Sequence, residues 1–262
     1  MTAFMSVRER LRAEGYVVLP APARDAAEPW GLVQELIGVR PEMVERQPIR
    51  PIAEGRSFAS TTVFTPFHTD SQDYQGAPPA LQVMLCRRAA ERGGETRLLD
   101  GAALLARLAR ENPRLHEQLL RAPRLHRFYF GDVESPTVAL KRGHMVWTHS
   151  PLPPTDPVGE ALALELAREP VIKLAVRDGE TLVVDNHRML HGREAFDDPR
   201  REFVRLLAWL PTEPKRQRID VVLELLTGVP PAKLAAREGI SEAELYAWRS
   251  RALAAAAATL DD

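Results

Sequence analysis

Short apolar segments recur along the first 210 residues, and clusters of glycine, proline and aspartate separate them. These segments are predicted strands, and they lie at residues 16–19, 80–86, 96–99, 125–130, 144–147, 171–176, 181–184 and 203–210. Predicted helices lie at residues 6–14, 29–37, 101–111, 113–120 and 157–168. Because strand–helix–strand alternations are few, the pattern favours an antiparallel sandwich or jelly roll over a doubly wound parallel sheet. The expected fold class is therefore α+β, with a mainly β core and flanking helices.

The composition changes at residues 211–218, which form a polar linker containing two prolines. Beyond the linker the apolar residues have the periodicity of helices. Three helices are predicted, at residues 219–227, at residues 231–237 and from Ser241 onward. Ser241 and Glu244 have the spacing of a capping box, which marks the start of the third helix. We therefore expect a β domain at residues 1–212 and a small three-helix segment at residues 219–262.

The composition is that of an ordinary globular protein. Of 262 residues, 35 are basic and 36 acidic, so the formal net charge is −1 and gives no reason to expect disorder or a polyanion-binding protein. The one cysteine, Cys86, excludes a disulfide framework and a metal site made of several thiolates. If a metal binds, its ligands are nitrogen and oxygen atoms.

The N-terminal residues 1–15 carry several charged side chains and lack the apolar run of a secretory signal. No part of the sequence has 18 uninterrupted apolar residues, which argues against a helix that spans a membrane. The expectation is a cytoplasmic protein that makes no membrane contact.

A histidine and an aspartate, His68 and Asp70, stand two residues apart after the segment Phe64–Phe67. In an extended chain both side chains point to the same side, which suits two ligands of one metal. A pair of this kind also arises by chance, and the alternative is a histidine that is hydrogen-bonded in a turn.

A second candidate segment covers residues 181–193, where a buried strand is followed by a polar loop that ends at His191 and Gly192. Glycine after the histidine allows close approach of another backbone. Further along, Arg205 shares one face of a predicted strand with apolar residues. A guanidinium on an apolar face needs a carboxylate, either an internal aspartate or glutamate or the carboxylate of a ligand.

Two histidines and one carboxylate on a β scaffold form the facial triad of non-haem Fe(II) oxygenases. Ordered motifs in residues 60–210 resemble the Fe(II)/2-oxoglutarate-dependent oxygenases of the taurine dioxygenase type, and in detail the γ-butyrobetaine and trimethyllysine hydroxylase branch. The motifs are His68-Thr69-Asp70, Pro78-Pro79 through Leu85-Cys86, Gly93-Gly94-Glu95-Thr96, Leu99-Asp100-Gly101, and Asp185-Asn186 through Leu190-His191-Gly192-Arg193.

The resemblance implies a double-stranded β-helix, or jelly roll, with iron bound by His68, Asp70 and His191. It implies that Thr96 and Arg205 hold the distal carboxylate of 2-oxoglutarate, with Arg201 as an accessory or an alternative. Without the resemblance, the preferred interpretation of Thr96 is an ordinary β-branched strand residue. The implied reaction consumes O₂ and 2-oxoglutarate, releases succinate and CO₂, and by default hydroxylates an unactivated C–H bond.

We expect a small amino-acid-like substrate from a biosynthetic pathway, free or tethered to a carrier. A quaternary ammonium substrate would favour an aromatic cage, and the sequence has few aromatic residues near the first motif. Candidate substrate-binding residues are Tyr74, Asn186 and Arg188, with Arg193 beside them. The alternative for the last three is that they cap the loop presenting His191.

The C-terminal segment 234–249 is similar to the helix-turn-helix of insertion-element transposases, with Gly239 in the turn. DNA binding requires a basic third helix, yet residues 215–251 contain seven basic against five acidic side chains. Dimerisation or protein docking is therefore favoured over DNA binding. The alternative function for the chain is a DNA-binding regulator whose β domain senses 2-oxoglutarate or oxygen.

Overall fold

The computed structural model describes residues 6–20, 27–70, 78–128, 131–141, 144–211, 218–238 and 240–260. The chain divides into two compact units, Met1–Pro211 and Thr212–Asp262.

Two antiparallel sheets form the core of the first unit. The strands of the first sheet are β1 (Tyr16–Pro20), β2 (Met43–Ile49), β4 (Leu81–Arg88), β11 (Glu180–Asp185) and β13 (Glu202–Trp209), in the order β1-β11-β4-β13-β2. The strands of the second sheet are β3 (Thr65–His68), β5 (Thr96–Asp100), β10 (Ile172–Leu174) and β12 (Met189–Arg193), in the order β10-β5-β12-β3. Two hairpins join β6 (Arg124–Phe128) to β7 (Gly131–Ser135) and β8 (Val138–Lys141) to β9 (His144–Trp147). Every one of these described pairings is antiparallel, which confirms the expectation against a parallel sheet.

Helices cover the outer faces of the two sheets. They are α1 (Val7–Glu14), α2 (Pro29–Ile37), α3 (Gly101–Glu111), α4 (Pro113–Arg121) and α5 (Pro157–Leu166), with a short 3₁₀ helix at Phe58–Ser60. Buried apolar side chains of α1 and α2 pack with the first sheet, and those of α3, α4 and α5 pack with the second. The core between the sheets contains Leu182 and Phe203 from the first sheet and Leu98 and Met189 from the second. The unit is therefore a sandwich of two sheets with a helical layer on each side.

Aspartate side chains cap the N-termini of two of the predicted helices. Asp156 is the N-cap of α5, where its carboxylate accepts a hydrogen bond from the Gly159 N–H at 2.9 Å. Asp100 caps α3 in the same way, with the N–H groups of Ala102 and Ala103 as donors. Such caps satisfy N–H groups that have no partner within the helix.

Five of the described strands, β2, β3, β7, β8 and β12, are not among the strands predicted from the sequence. Strand β2 contains Pro48 and three polar residues, Glu45, Arg46 and Gln47. The proline is tolerated because β2 lies at the edge of its sheet, where only one side pairs. Strand β12 was predicted to be part of a polar loop, and that prediction is wrong. It pairs with β5 on one side and β3 on the other, and all five of its residues are buried. Its polar residues face the candidate site described below.

The described residues of the second unit form three helices, α6 (Arg218–Leu226), α7 (Pro231–Glu238) and α8 (Glu242–Leu260). Val221, Leu234 and Leu245 form its small buried core. The Glu244 N–H donates to the Ser241 hydroxyl at 3.1 Å, as the spacing of the two residues predicts. Gly239, expected in the turn before α8, is outside the described residues. Among the helices that the structure describes, none combines the length and hydropathy needed to cross a bilayer.

Candidate metal and co-substrate site

Strand pairing brings the two histidines together. His191 in the central strand β12 is directly opposite His68 in β3, and their ring centroids are 4.4 Å apart. Asp70 follows two residues after His68, and its carboxylate oxygens lie 3.9 Å from His68 Nε2 and 3.6 Å from His191 Nε2. One ligand atom from each of the three residues lies within 4.8 Å of the others. Two imidazole nitrogens and one carboxylate oxygen in this arrangement suit a divalent iron ion.

The imidazole of His68 is oriented by the backbone. Its Nδ1 lies 2.9 Å from the carbonyl oxygen of Pro66, and an N–H there donates to that oxygen, so the lone pair of Nε2 faces the site. Burial, together with the neighbouring His191, lowers the pKa of His68 to about 4. The ring is therefore neutral near pH 7, as a metal ligand must be.

The carboxylate of Asp70 is ionised. Burial alone would raise its pKa, but the Arg205 guanidinium and the neighbouring histidines hold the pKa well below its usual range. Arg205 Nη1 donates to both carboxylate oxygens, at 2.8 and 2.9 Å. Arg205 also donates to the side-chain carbonyl oxygen of Gln47. The internal carboxylate considered from the sequence is thus present, and it belongs to Asp70.

Gly192 is needed for the close packing of β12 on β3. A Cβ at this position would lie 2.6 Å from the carbonyl oxygen of Thr65. A larger residue would push apart the strands that carry His191 and His68. The close backbone approach expected from the sequence is present.

A cavity of about 80 Å³ lies beside the three residues. Its polar lining includes Thr65, His68, Gln82, Thr96, His191, Arg193, Arg201 and Arg205. The cavity is therefore lined by two of the three candidate metal ligands, by three arginines and by Thr96.

Arg201 is buried in this cavity, with 3% of its surface exposed. Its guanidinium lies 4.0 Å from the ring centroid of Phe203 and 5.0 Å from that of Phe196. Its Nη2 donates a long hydrogen bond to the carbonyl oxygen of Gly94 at 3.5 Å, and no carboxylate among the described residues forms an ion pair with it. Burial, and then the charge of Arg193, lowers its pKa to about 10. The cavity thus contains a cation without a counter-ion among the described residues.

Arg193 adds a second such cation. Its Nη2 donates to the carbonyl oxygens of Thr61 and Val63, both at 2.8 Å, and burial lowers its pKa to about 10. Within the described part of the chain it has no carboxylate partner either. Two buried arginines without counter-ions predict that an anion binds between the sheets.

A scan against family models matches residues 20–207 to "Taurine catabolism dioxygenase TauD, TfdA family". The chain belongs to this family. Like its family, it is an Fe(II)- and 2-oxoglutarate-dependent dioxygenase, with O₂ as the second co-substrate. The similarity expected from the motifs of the β domain is confirmed at the level of the family.

Solved structures show the same fold as this TauD/TfdA-family chain. PvcB from Pseudomonas aeruginosa is 20% identical, with a TM-score of 0.55 over 76% of this chain and 77% of that chain. A taurine dioxygenase from Burkholderia xenovorans is 17% identical, with a TM-score of 0.55 over 78% and 79% of the two chains. An asparagine oxygenase, solved with Fe(II), 2S,3S-3-hydroxyasparagine and succinate, is 17% identical, with a TM-score of 0.54 over 77% of each chain. No curated protein matches the chain.

Two of the candidate substrate-binding residues, Asn186 and Arg188, form hydrogen bonds within this TauD/TfdA-family enzyme. The side-chain oxygen of Asn186 accepts the Asp70 N–H at 3.1 Å, and its amide donates to Pro79 at 2.9 Å. Arg188 donates to the Asp100 carboxylate at 2.5 Å and to the carbonyl oxygen of Arg12 at 2.8 Å. Both placements match the capping alternative. Tyr74 is outside the described residues.

The Arg188→Ala variant should lose stability and keep its affinity for 2-oxoglutarate. Burial raises the pKa of Asp100, but its hydrogen bonds with Arg188 and with the start of α3 lower that pKa below its ordinary value. The pair therefore stabilises the fold above the unfolded-state pKa of about 4, and this contribution is lost as the pH falls through the folded-state pKa. Since both side chains are about one-quarter exposed, we expect a loss of about 1–2 kcal/mol at pH 7.

Urea unfolding at pH 7 and at pH 3 measures this effect. The difference in free energy of unfolding between Arg188→Ala and the natural chain should be smaller at pH 3 than at pH 7. An equal difference at both pH values would contradict a stabilising role of the Arg188–Asp100 ion pair. Arg121→Ala is a suitable control, because it removes an ion pair on the exposed side of α4.

Gln82 has no counterpart among the residues singled out from the sequence. It is buried in β4, its amide donates to Asp70 Oδ2 at 2.5 Å, and its nitrogen lies 3.1 Å from His191 Nε2. A glutamine in an apolar strand gives little signal by itself. Its role depends on strand pairing, which places it beside Asp70 and His191, 12 and 109 positions away in the sequence.

Gln82→Met should weaken Fe(II) binding about 10- to 100-fold, because neighbours that orient metal ligands typically contribute that much. Methionine is apolar and similar in volume, so the packing of β4 is kept. Anaerobic Fe(II) titration measures the effect. Unchanged Fe(II) affinity would show that Asp70 keeps its orientation without this amide. Gln118→Met, at a partly exposed position on α4, is the control.

Proposed function

We propose that this chain hydroxylates a C–H bond of a small amino-acid-like substrate, with iron held by His68, Asp70 and His191. The observation that carries the proposal is the convergence of these three residues beside a cavity with two uncompensated arginines. Bound iron would supply the oxidising chemistry, which couples decarboxylation of 2-oxoglutarate by O₂ to oxidation of the substrate. The two sheets correspond on this proposal to a double-stranded β-helix.

The protein's own residues keep the ligand set ready. The carbonyl oxygen of Pro66 fixes the ring of His68, and Gln82 and Asn186 orient Asp70 through its side chain and its backbone. Arg205 keeps the Asp70 carboxylate ionised and turned toward the histidines. The geometry of the site therefore exists before a metal binds, which reduces the reorganisation on binding.

For 2-oxoglutarate we propose that Arg201 and Thr96 hold the distal carboxylate and that Arg193 adds positive charge. The sequence expectation placed Arg205 first and Arg201 second. We reverse that order because Arg205 already pairs with Asp70, whereas Arg201 is buried without a carboxylate among the described residues. A guanidinium of this kind gains a charge-assisted bidentate contact from an incoming carboxylate.

An amino-acid-like substrate is supported by the structural neighbours. One is an asparagine oxygenase bound to 3-hydroxyasparagine, and another, OrfP, was solved with a (3S)-hydroxy-L-Arg ligand. Those ligands belong to those proteins, and they show that the same fold accommodates hydroxylated amino acids. A carrier-tethered amino acid remains the second form of the proposed substrate.

The first experiment follows succinate from 2-oxoglutarate with purified protein, Fe(II), ascorbate and O₂. We expect slow succinate formation even without substrate, as uncoupled turnover, and faster formation with the correct amino acid. Mass spectrometry of an amino-acid panel, free and carrier-bound, should detect the gain of one oxygen. Absence of anaerobic 2-oxoglutarate binding in the presence of Fe(II) would overturn the proposal.

For the three-helix unit we propose dimerisation or protein docking, not DNA binding. The first turn of α8 carries Glu242 and Glu244, which repel phosphates, and Arg249 and Arg251 only balance them. The full chain should therefore give no shift of duplex DNA at low salt. A shift that weakens steeply with salt would favour the regulator instead.

We also propose a cytoplasmic location. The single cysteine, Cys86, is buried and free, which fits a reducing compartment.

A further inference from the structure

A second and larger cavity lies on the other side of strand β3. Its volume is about 360 Å³, against about 80 Å³ for the cavity beside the histidines. Pro66 and Phe67 of β3 line it, whereas Thr65 and His68 of the same strand line the first cavity. The volume lies within the range typical of small-molecule sites. None of the residues assigned to iron or 2-oxoglutarate lines this cavity.

The walls of this second cavity are largely apolar. Phe64 and Leu125 line it although 43% and 46% of their surfaces are exposed. The loop after β9 contributes Pro151, Pro153 and Pro154, whose fixed backbone angles give a stiff wall. Exposed apolar side chains around a concave opening favour a ligand with an apolar body.

The charged lining of the cavity is cationic, and it includes no carboxylate among the described residues. Arg124 is neutralised by Asp156, at 2.6 and 2.9 Å. Burial, followed by the charge of Arg124, lowers the pKa of His126 to about 4 and that of His149 to about 3, so both rings are neutral near pH 7. These three residues therefore add polarity to the cavity but no net charge.

Arg97 keeps an excess of positive charge at the cavity. Its guanidinium stacks on Phe64 and Phe67, at 4.8 and 4.6 Å from the ring centroids. Its partner Glu194 lies 3.4 Å away and is shared with Lys173, which is closer at 2.7 Å. The atom of Arg97 nearest to Glu194 is Nε, which is buried and forms no hydrogen bond with this carboxylate or with any other described acceptor. One carboxylate thus serves two cations.

We propose that this cavity binds an organic carboxylate with an apolar body, with the charge near Arg97 and Arg127 and the body against Phe64 and Leu125. The cavity should not bind ammonium groups, because none of the described lining residues carries a carboxylate that could pair with them. The proposal concerns binding, and it stands whether or not the assigned iron and 2-oxoglutarate residues are correct.

The test uses the full chain without iron or 2-oxoglutarate, and calorimetry with 3-phenylpropionate as the probe. We expect 3-phenylpropionate to bind about 10-fold more tightly than 3-phenylpropanamide, since a charge-assisted hydrogen bond is lost in the amide. 3-Phenylpropylamine should bind more weakly still. Equal affinity for acid and amide would overturn the proposal.

Two kinds of variant locate the site. Arg127→Gln changes an exposed lining residue and should weaken binding of the acid several-fold without affecting the fold. Ala163→Phe on α5 should fill the cavity and abolish binding, whereas Leu164→Phe, at an exposed neighbour outside the lining, should not. Binding that persists unchanged in both Arg127→Gln and Ala163→Phe would place the acid elsewhere and contradict the proposal.

The same probe then distinguishes a substrate site from an effector site. With Fe(II), 2-oxoglutarate and O₂ added, gain of one oxygen by 3-phenylpropionate identifies the cavity as a substrate site. Binding without oxidation, accompanied by a changed rate of succinate formation, identifies an effector site. Both results support binding in this cavity, provided that Ala163→Phe removes the effect.

Discussion

Replacement of His191 by alanine should abolish iron-dependent formation of succinate. On our proposal His191 supplies one of the three iron-ligand atoms, and it lies in strand β12, where no other described histidine or carboxylate can take its place. Loss of a residue that hydrogen-bonds to a metal ligand typically weakens metal binding about 10- to 100-fold. Loss of a ligand itself should therefore weaken Fe(II) binding by more than about 100-fold. Asp70→Ala should have the same effect.

Anaerobic Fe(II) titration and a succinate assay measure this loss. Circular dichroism and gel filtration show whether each variant is folded. His116→Ala, which removes a histidine from helix α4, should keep full iron affinity. Retention of normal Fe(II) affinity in a folded His191→Ala variant would show that the metal is bound elsewhere.

Arg201→Met should raise the Kd for 2-oxoglutarate about 30-fold or more, because loss of one partner of a buried charge pair typically costs at least 2 kcal/mol. The iron affinity should change little, since Arg201 contacts none of the three ligands. The iron-free and co-substrate-free chain should become more stable, by about 1 kcal/mol, because the variant removes a buried cation without a described counter-ion. A residue with a purely structural role would not combine weaker binding with higher stability.

Two matched variants sharpen this test. Arg200→Met changes the neighbouring residue, which pairs with Asp198 and Glu91 at the surface, and should leave 2-oxoglutarate binding unchanged. Arg205→Met should weaken iron binding more than 2-oxoglutarate binding, because Arg205 orients Asp70. If Arg205→Met instead weakened 2-oxoglutarate binding more than Arg201→Met, then Arg205 would be the main partner of the distal carboxylate, as the sequence predicted, and our reversal would be wrong.

The local features of the fold were predictable where one segment of sequence decides them. Asp156 followed by proline predicts the start of α5, and the apolar segments predict β4, β11 and β13. Strand β12 was missed because its buried polar residues, His191 and Arg193 among them, resemble a loop until the neighbouring strands are known. Secondary structure that depends on such pairing has no local signal.

The same distinction applies to the site. His68 and Asp70 stand out because they are two residues apart, and Gly192 stands out because it follows a histidine. The roles of Gln82, Arg193 and Asn186 depend on contacts with residues distant in the chain. The pairing of Arg205 with Asp70 spans 135 positions, so the sequence could not decide between an internal carboxylate and a ligand.

The pairing of β3 with β12 has a consequence for how the sheet opens. Within the described residues β3 is a four-residue edge strand, whereas β12 is hydrogen-bonded on both sides. A metal held by His68 and His191 would therefore act as a cross-link between an edge strand that frays easily and the rigid centre of its sheet. Local unfolding of that edge and release of the metal would be one event, and the occupied site would protect the edge from fraying.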